Sequence, residues 1–181
     1  MGNIIGVFPD KEAADVAFFN LTKAGYRSQD VSVILKEELI LNKEQGQKGG
    51  IASTYFSVTN TVNGAVKGIS RIASGLSAIF IPGLGAVIIA GPLASVLGVT
   101  RATAVTISGV ITGVLSGGLA AGLIELGFKK GNANFYEKLV NKGGVVVCVP
   151  VIKDYSPDQI RQIFMENGGS YIKELGTKRY K

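Results

Sequence analysis

Histidine and tryptophan are absent from this chain of 181 residues, cysteine occurs once, and charged residues make up only 18%. Without histidine, Ser-His and Cys-His nucleophilic pairs are excluded, and a single cysteine cannot complete a Cys/His zinc site. That cysteine, Cys148, also leaves no intrachain disulfide to form. It lies in Val145-Val146-Val147-Cys148-Val149, an apolar run that predicts a buried strand with the thiol as a small core group. No Gly-Lys dipeptide occurs, so there is no Walker A loop, and Gly83-Leu84-Gly85-Ala86-Val87-Ile88 lacks the third glycine of a dinucleotide fingerprint. Carboxylates are dispersed. Asp10, Glu12 and Asp15 sit where a helix dipole favours them and read as capping rather than metal-binding, while Glu125 is placed one turn before Lys129, which can neutralise it. Ser170 and Lys173 match Ser-x-x-Lys, but residues three apart on a strand point to opposite faces. No catalytic group and no cofactor is expected.

Charge is scarcest between Ile72 and Ile124, where Arg101 is the one ionisable side chain. Residues 72–100 and 102–124 are each long enough, as helices, to cross a hydrocarbon core of about 30 Å. Lys67 and Arg71 precede this segment and Lys129 and Lys130 follow it, which would hold both ends on the cytoplasmic side with Arg101 at the far turn. Pro82, Pro92, the many Ser and Thr, and the missing tryptophan anchors speak against spanning. Gly109, Gly113, Gly117, Gly118 and Gly122 recur at helical spacing. Glycine costs about 1 kcal/mol relative to alanine inside a helix, so such a ladder forms only where close backbone approach compensates. A membrane hairpin and the core of a soluble oligomer both satisfy that condition.

The flanks carry a different signal. Asn3 to Phe8 is β-rich and stops at Pro9-Asp10, where Asp10 can cap a helix. Ala14, Ala17, Phe18 and Leu21 fall on one stripe of that helix, Gly25 ends it, and Val31, Val33 and Leu35 alternate as a half-buried strand. Far along the chain the pattern returns: Val145 to Val151 predicts a strand, and Ser156-Pro157-Asp158-Gln159 reads as a capping box with proline at the first helical position. Ile160, Ile163 and Phe164 then form a stripe closed by Gly168-Gly169, and Ser170 to Leu175 can supply a last strand. The order predicts an α+β fold, a split βαβ, ferredoxin-like sandwich assembled from residues 1–41 and 142–176.

The intervening residues 51–141 read as an all-helical insertion between the second and third strands, reached through a polar linker at 42–50. Ile51, Tyr55, Val58, Val62, Ala65, Ile69, Ile72, Leu76 and Ile79 alternate by four and three, a heptad seam for a long helix. A second helical stretch is expected to about Val99, a third from about Ala102 to Leu126 bearing the glycine ladder, and a fourth from about Asn132 to Asn141.

Several stretches taken together resemble the bacterial general stress protein and low-temperature-induced protein family. They are Gly6-Val7-Phe8 with Ala13-Ala14, Ala24-Gly25-Tyr26, Asp30-Val31-Ser32-Val33, Ile81-Pro82-Gly83-Leu84-Gly85 followed by Ala90-Gly91-Pro92-Leu93-Ala94, Tyr136-Glu137, and Lys142-Gly143-Gly144-Val145-Val146-Val147. The resemblance implies a non-enzymatic, stress-associated protein with a split ferredoxin-like domain around a glycine zipper, and it carries no catalytic residues. The long Ser/Thr/Asn-rich stretch at 51–71 departs from that pattern. The chain is expected to bind copies of itself through the ladder and seam, and anionic lipid through Lys129, Lys130 and the basic tail; no nucleic-acid motif is present. No secretory signal pattern opens the sequence, so a cytoplasmic membrane face is expected. The alternative is a soluble, oligomeric or filament-forming scaffold whose sandwich binds a partner or small ligand.

Overall fold

The computed structural model describes residues 2–36, 77–81, 84–93, 118–125, 128–152 and 155–175. In chain order these form β1 (Gly2–Phe8), α1 (Lys11–Lys23), β2 (Ser32–Lys36), β3 (Ser77–Ile81), β4 (Gly85–Ala90), α2 (Gly118–Glu125), α3 (Lys130–Asn141), β5 (Val145–Val151), α4 (Pro157–Glu166) and β6 (Ser170–Leu175). The strands make one six-stranded sheet in the order β3-β4-β2-β5-β1-β6. Every pair of neighbours is antiparallel.

Local signals account for the helix ends. The Asp10 carboxylate accepts from Ala13 N at 2.8 Å and so satisfies a donor at the start of α1 that has no intrahelical partner. At the other end Tyr26 N donates to Leu21 O and Gly25 N to Thr22 O, with Gly25 at φ +96°. That paired closure is repeated after α3 and α4, at Gly143-Gly144 and Gly168-Gly169. The expected capping box at Ser156 is not formed. Pro157 does open α4, but the Ser156 side chain makes no cap bond, and Gln159 is used elsewhere as an acceptor for the Tyr26 hydroxyl.

Both faces of the sheet are covered. On one, Ile4 and Phe8 of β1, Val33 and Leu35 of β2, and Val145, Val147 and Val149 of β5 pack with Ala14, Ala17, Phe18 and Leu21 of α1 and Ile160 and Phe164 of α4. On the other, Ile5, Val7, Ile34, Val87, Ile89, Val146 and Cys148 pack with Leu119 and Leu123 of α2 and Ala133, Tyr136 and Val140 of α3. Each fully buried large side chain contributes about 1.5–3 kcal/mol. Burial on two faces explains why Val145–Val149 is apolar without alternation. Gly6 leaves room for the ring of Phe164, which meets Phe8 edge-on at 5.2 Å; a Cβ at Gly6 would lie 2.6 Å from Phe164 Cδ2.

The central segment departs from the all-helical insertion expected there. Residues 77–81 and 85–90 are strands, not helix, and they extend the sheet past β2: Val33 pairs with Ala90 and Lys36 with Val87, while Ile81 pairs with Gly85. Leu84 N donates to Ile81 O at 3.0 Å and closes the hairpin. The physical reason is composition. Ile79-Phe80-Ile81 and Val87-Ile88-Ile89 are β-branched or aromatic, and between them the sequence places Pro-Gly, a turn-favouring pair. A helix spanning residues 72–100 is therefore overturned, and the seam loses Ile79 to β3. Among the described residues, no helix is long and apolar enough to cross a membrane.

Candidate assembly surface

The residues expected to drive packing divide sharply by position. Gly109, Gly113, Gly117, Val58, Val62, Ile69, Ile72, Lys67, Arg71 and Arg101 lie outside the described residues, as do the 42–50 linker and the basic tail beyond Leu175. Gly118, Gly122, Lys129 and Lys130 lie within them.

Gly118 and Gly122 belong to α2, where Gly122, Leu119 and Leu123 are buried and Ile124 is 40% exposed. Gly118 has φ +74°, a left-handed conformation foreign to the interior of an α-helix, so a helix does not run unbroken through residue 118. Gly118 instead opens α2. Its lack of a side chain lets the Glu137 carboxylate of α3 approach, and a Cβ there would stand 3.1 Å from Glu137 Oε2. Ala120 N donates to that same oxygen at 2.6 Å, so the helix is capped from a neighbouring helix. After α2, Phe128 N donates to Leu123 O at 3.0 Å, and the Phe128 ring meets Tyr136 edge-on at 5.4 Å.

Lys129 is the N-cap residue of α3 and Lys130 its first residue, and both are exposed. Glu125 closes α2 while Lys129 precedes α3, so the pair does not share a helix face one turn apart as the spacing predicts. Beneath α3, Tyr136 is 1% exposed and donates its hydroxyl hydrogen to Tyr171 O at 2.7 Å. Burial, reinforced by proximity to Cys148, pushes the Tyr136 hydroxyl up to about 12. Burial likewise pushes the Cys148 thiol up to about 12, which suits a core group and not a nucleophile.

A second polar cluster ties the chain after α1 to the start of α4. Tyr155 accepts from Arg27 N at 2.8 Å and donates to Asp30 Oδ2 at 3.0 Å, while Arg27 Nε donates to the same carboxylate oxygen at 2.8 Å. The rings of Tyr26 and Tyr155 lie 4.1 Å apart, and the one Tyr26 hydroxyl hydrogen is shared between Ser156 O at 3.3 Å and Gln159 Oε1 at 3.2 Å. Burial, then the neighbouring Tyr155, raises the Tyr26 hydroxyl above its ordinary value. These groups bond to one another and read as a loop clasp. Ser170 and Lys173 are likewise engaged separately, with Val7 O and Asn132 Oδ1. Among the described residues no cluster of His, Cys, Asp or Glu could hold a metal ion.

Sequence reading missed the role of Glu137, since nothing in the chain links a residue in α3 to the start of α2 seventeen positions earlier. It also missed Tyr155. Comparison with protein-family models, with curated proteins and with solved structures returned no match to this chain.

Proposed function

We propose that this chain is a non-enzymatic packing module that assembles with copies of itself through its glycine-rich central segment. The observation that carries the reading is where the apolar residues of that segment go. β4 pairs with β2 and β3 with β4, and α2 closes on α3 with small residues at the contact, so the segment's described parts are spent on close packing. The core is read as a split βαβ, ferredoxin-like sandwich: the order β2-β5-β1-β6 and the placement of α1 and α4 on one face support it. The β3–β4 hairpin would then be an extension of that sandwich. The stress-associated role implied by the family resemblance belongs to the same proposal.

Sizing of the full chain by light scattering tests it. An oligomer is expected, and Gly113→Leu or Gly117→Leu should reduce its size while leaving the far-ultraviolet circular dichroism of the sheet domain in place. A monomer at all concentrations, or an oligomer indifferent to both substitutions, removes the glycines from the account.

A second reading, attachment to an anionic lipid surface, is favoured by exposed Lys129 and Lys130 close in sequence to half-exposed Ile124. Co-sedimentation with phosphatidylserine vesicles, lost on Lys129→Glu with Lys130→Glu, would support it, and equal recovery with neutral vesicles would remove it.

A further inference from the structure

Helix α2 has eight residues and few means of standing alone. Isolated helices shorter than about 12–15 residues are marginal in water. Gly118, at its start, offers no side chain to cap the free N–H groups, and the Glu137 carboxylate of α3 supplies the cap instead, at 2.6 Å from Ala120 N. A Cβ at 118 would stand 3.1 Å from Glu137 Oε2, so the bare Cα gives the carboxylate room, and the backbone there is left-handed. Leu119 and Leu123, both 0% exposed, are buried in the cluster that holds Ala133, Tyr136 and Val140 of α3. The groups that stabilise α2 as a helix are thus the groups that dock it.

We propose that α2 is a conditional helix, folded only while docked on α3, and that Glu137 is the latch that sets how much of it is docked. This goes beyond the assembly reading and does not depend on it. Release would bare Leu119 and Leu123 beside the already exposed Ile124, and would free this end of the glycine-rich segment while the sheet stays folded.

The test uses the full chain with the single native cysteine moved: Ala120→Cys with Cys148→Ser places the thiol at the latched turn, where residue 120 is 8% exposed. Glu137→Ala should raise its rate of reaction with an impermeant thiol reagent by roughly 10- to 100-fold, the equivalent of losing a charge-assisted hydrogen bond. Glu137→Gln keeps an acceptor and should raise the rate less. In the chain that retains Cys148, Glu137→Ala should leave that thiol protected, because α3 still covers β5. Amide exchange across residues 119–125 in Glu137→Ala without the reporter provides a second measurement, with faster exchange expected there and not in β1 or β5. An unchanged rate at 120 together with unchanged exchange overturns the latch. Loss of protection at Cys148 in step with residue 120 overturns it too, since Glu137 would then be supporting the whole fold.

Discussion

Gly91→Ala is the sharpest test of the sheet extension. Gly91 follows β4 at φ +81°, and a Cβ there would lie 2.2 Å from Val31 O, 2.8 Å from Ser32 Cα and 2.9 Å from Ser32 Oγ. Two of those three atoms are backbone, so no rotamer change relieves the clash. Two costs add: about 1–2 kcal/mol for placing an L-residue in the left-handed region, and about 1–3 kcal/mol for overpacking. The sum, about 2–5 kcal/mol, corresponds to a fall in Tm of roughly 5–15 °C for a chain of this size. Gly25→Ala is the control, since its φ is +96° but nothing lies within 4 Å of the added carbon. It carries the conformational cost alone. Urea unfolding of both variants isolates the contact between β4 and β2, and amide exchange at Ile89 and Ala90 should rise in Gly91→Ala. The contact also holds Leu93 N against the buried Ser32 hydroxyl at 3.1 Å, so exchange at Leu93 should follow. Equal destabilisation of the two variants would mean that β4 does not approach β2 and would return residues 77–90 to the helix suggested by their hydropathy.

Two further outcomes follow from the buried groups and the helix start. Cys148 and Tyr136 are both raised to about 12 in the folded chain, from ordinary values of 9.0 and 10.0, so the unfolded chain loses these protons first as pH rises. Their contribution is complete below about pH 9 and is lost between there and pH 12; urea titrations at pH 8, 10 and 11 should show falling stability, and Cys148→Ala should flatten the fall. Asp10→Ala removes the cap on Ala13 N and should cost about 1 kcal/mol, read as a Tm lower by about 2–4 °C.

The elements at the two ends of the chain were legible because their signals are local. Asp10 and Gly25 bracket the thirteen-residue helix α1, and the stripes of α1 and α4 fall on residues the structure buries. The β3–β4 hairpin was not legible by periodicity. A strand apolar on both sides loses the two-residue alternation that announces a strand, and the run then reads equally as a buried or a lipid-facing helix. What separated the cases was length between breaks: Ser77–Ile81 and Gly85–Ala90 are each far too short for a span and sit on either side of Pro82-Gly83. Ser156 shows the opposite failure. Its motif is correct for a capping box, but Gln159 answers to Tyr26, a residue 133 positions away, and a local pattern cannot register that competitor.

Glycine spacing fails for a related reason. A ladder at intervals of four predicts one helix with a flat face, on the premise that glycine is present for its small size. Glycine is also the residue that takes positive φ without steric cost, and spacing cannot distinguish the two uses. Gly118 serves both: its backbone turns left-handed where α2 begins, and its missing side chain admits the carboxylate that caps the helix. Gly122, four residues on, lies inside α2 and is buried. One regular sequence pattern therefore contains both a left-handed helix start and a buried helix-interior glycine. An interval of four therefore does not by itself establish a flat helix face at Gly118, because positive φ is a second reason for glycine to stand there.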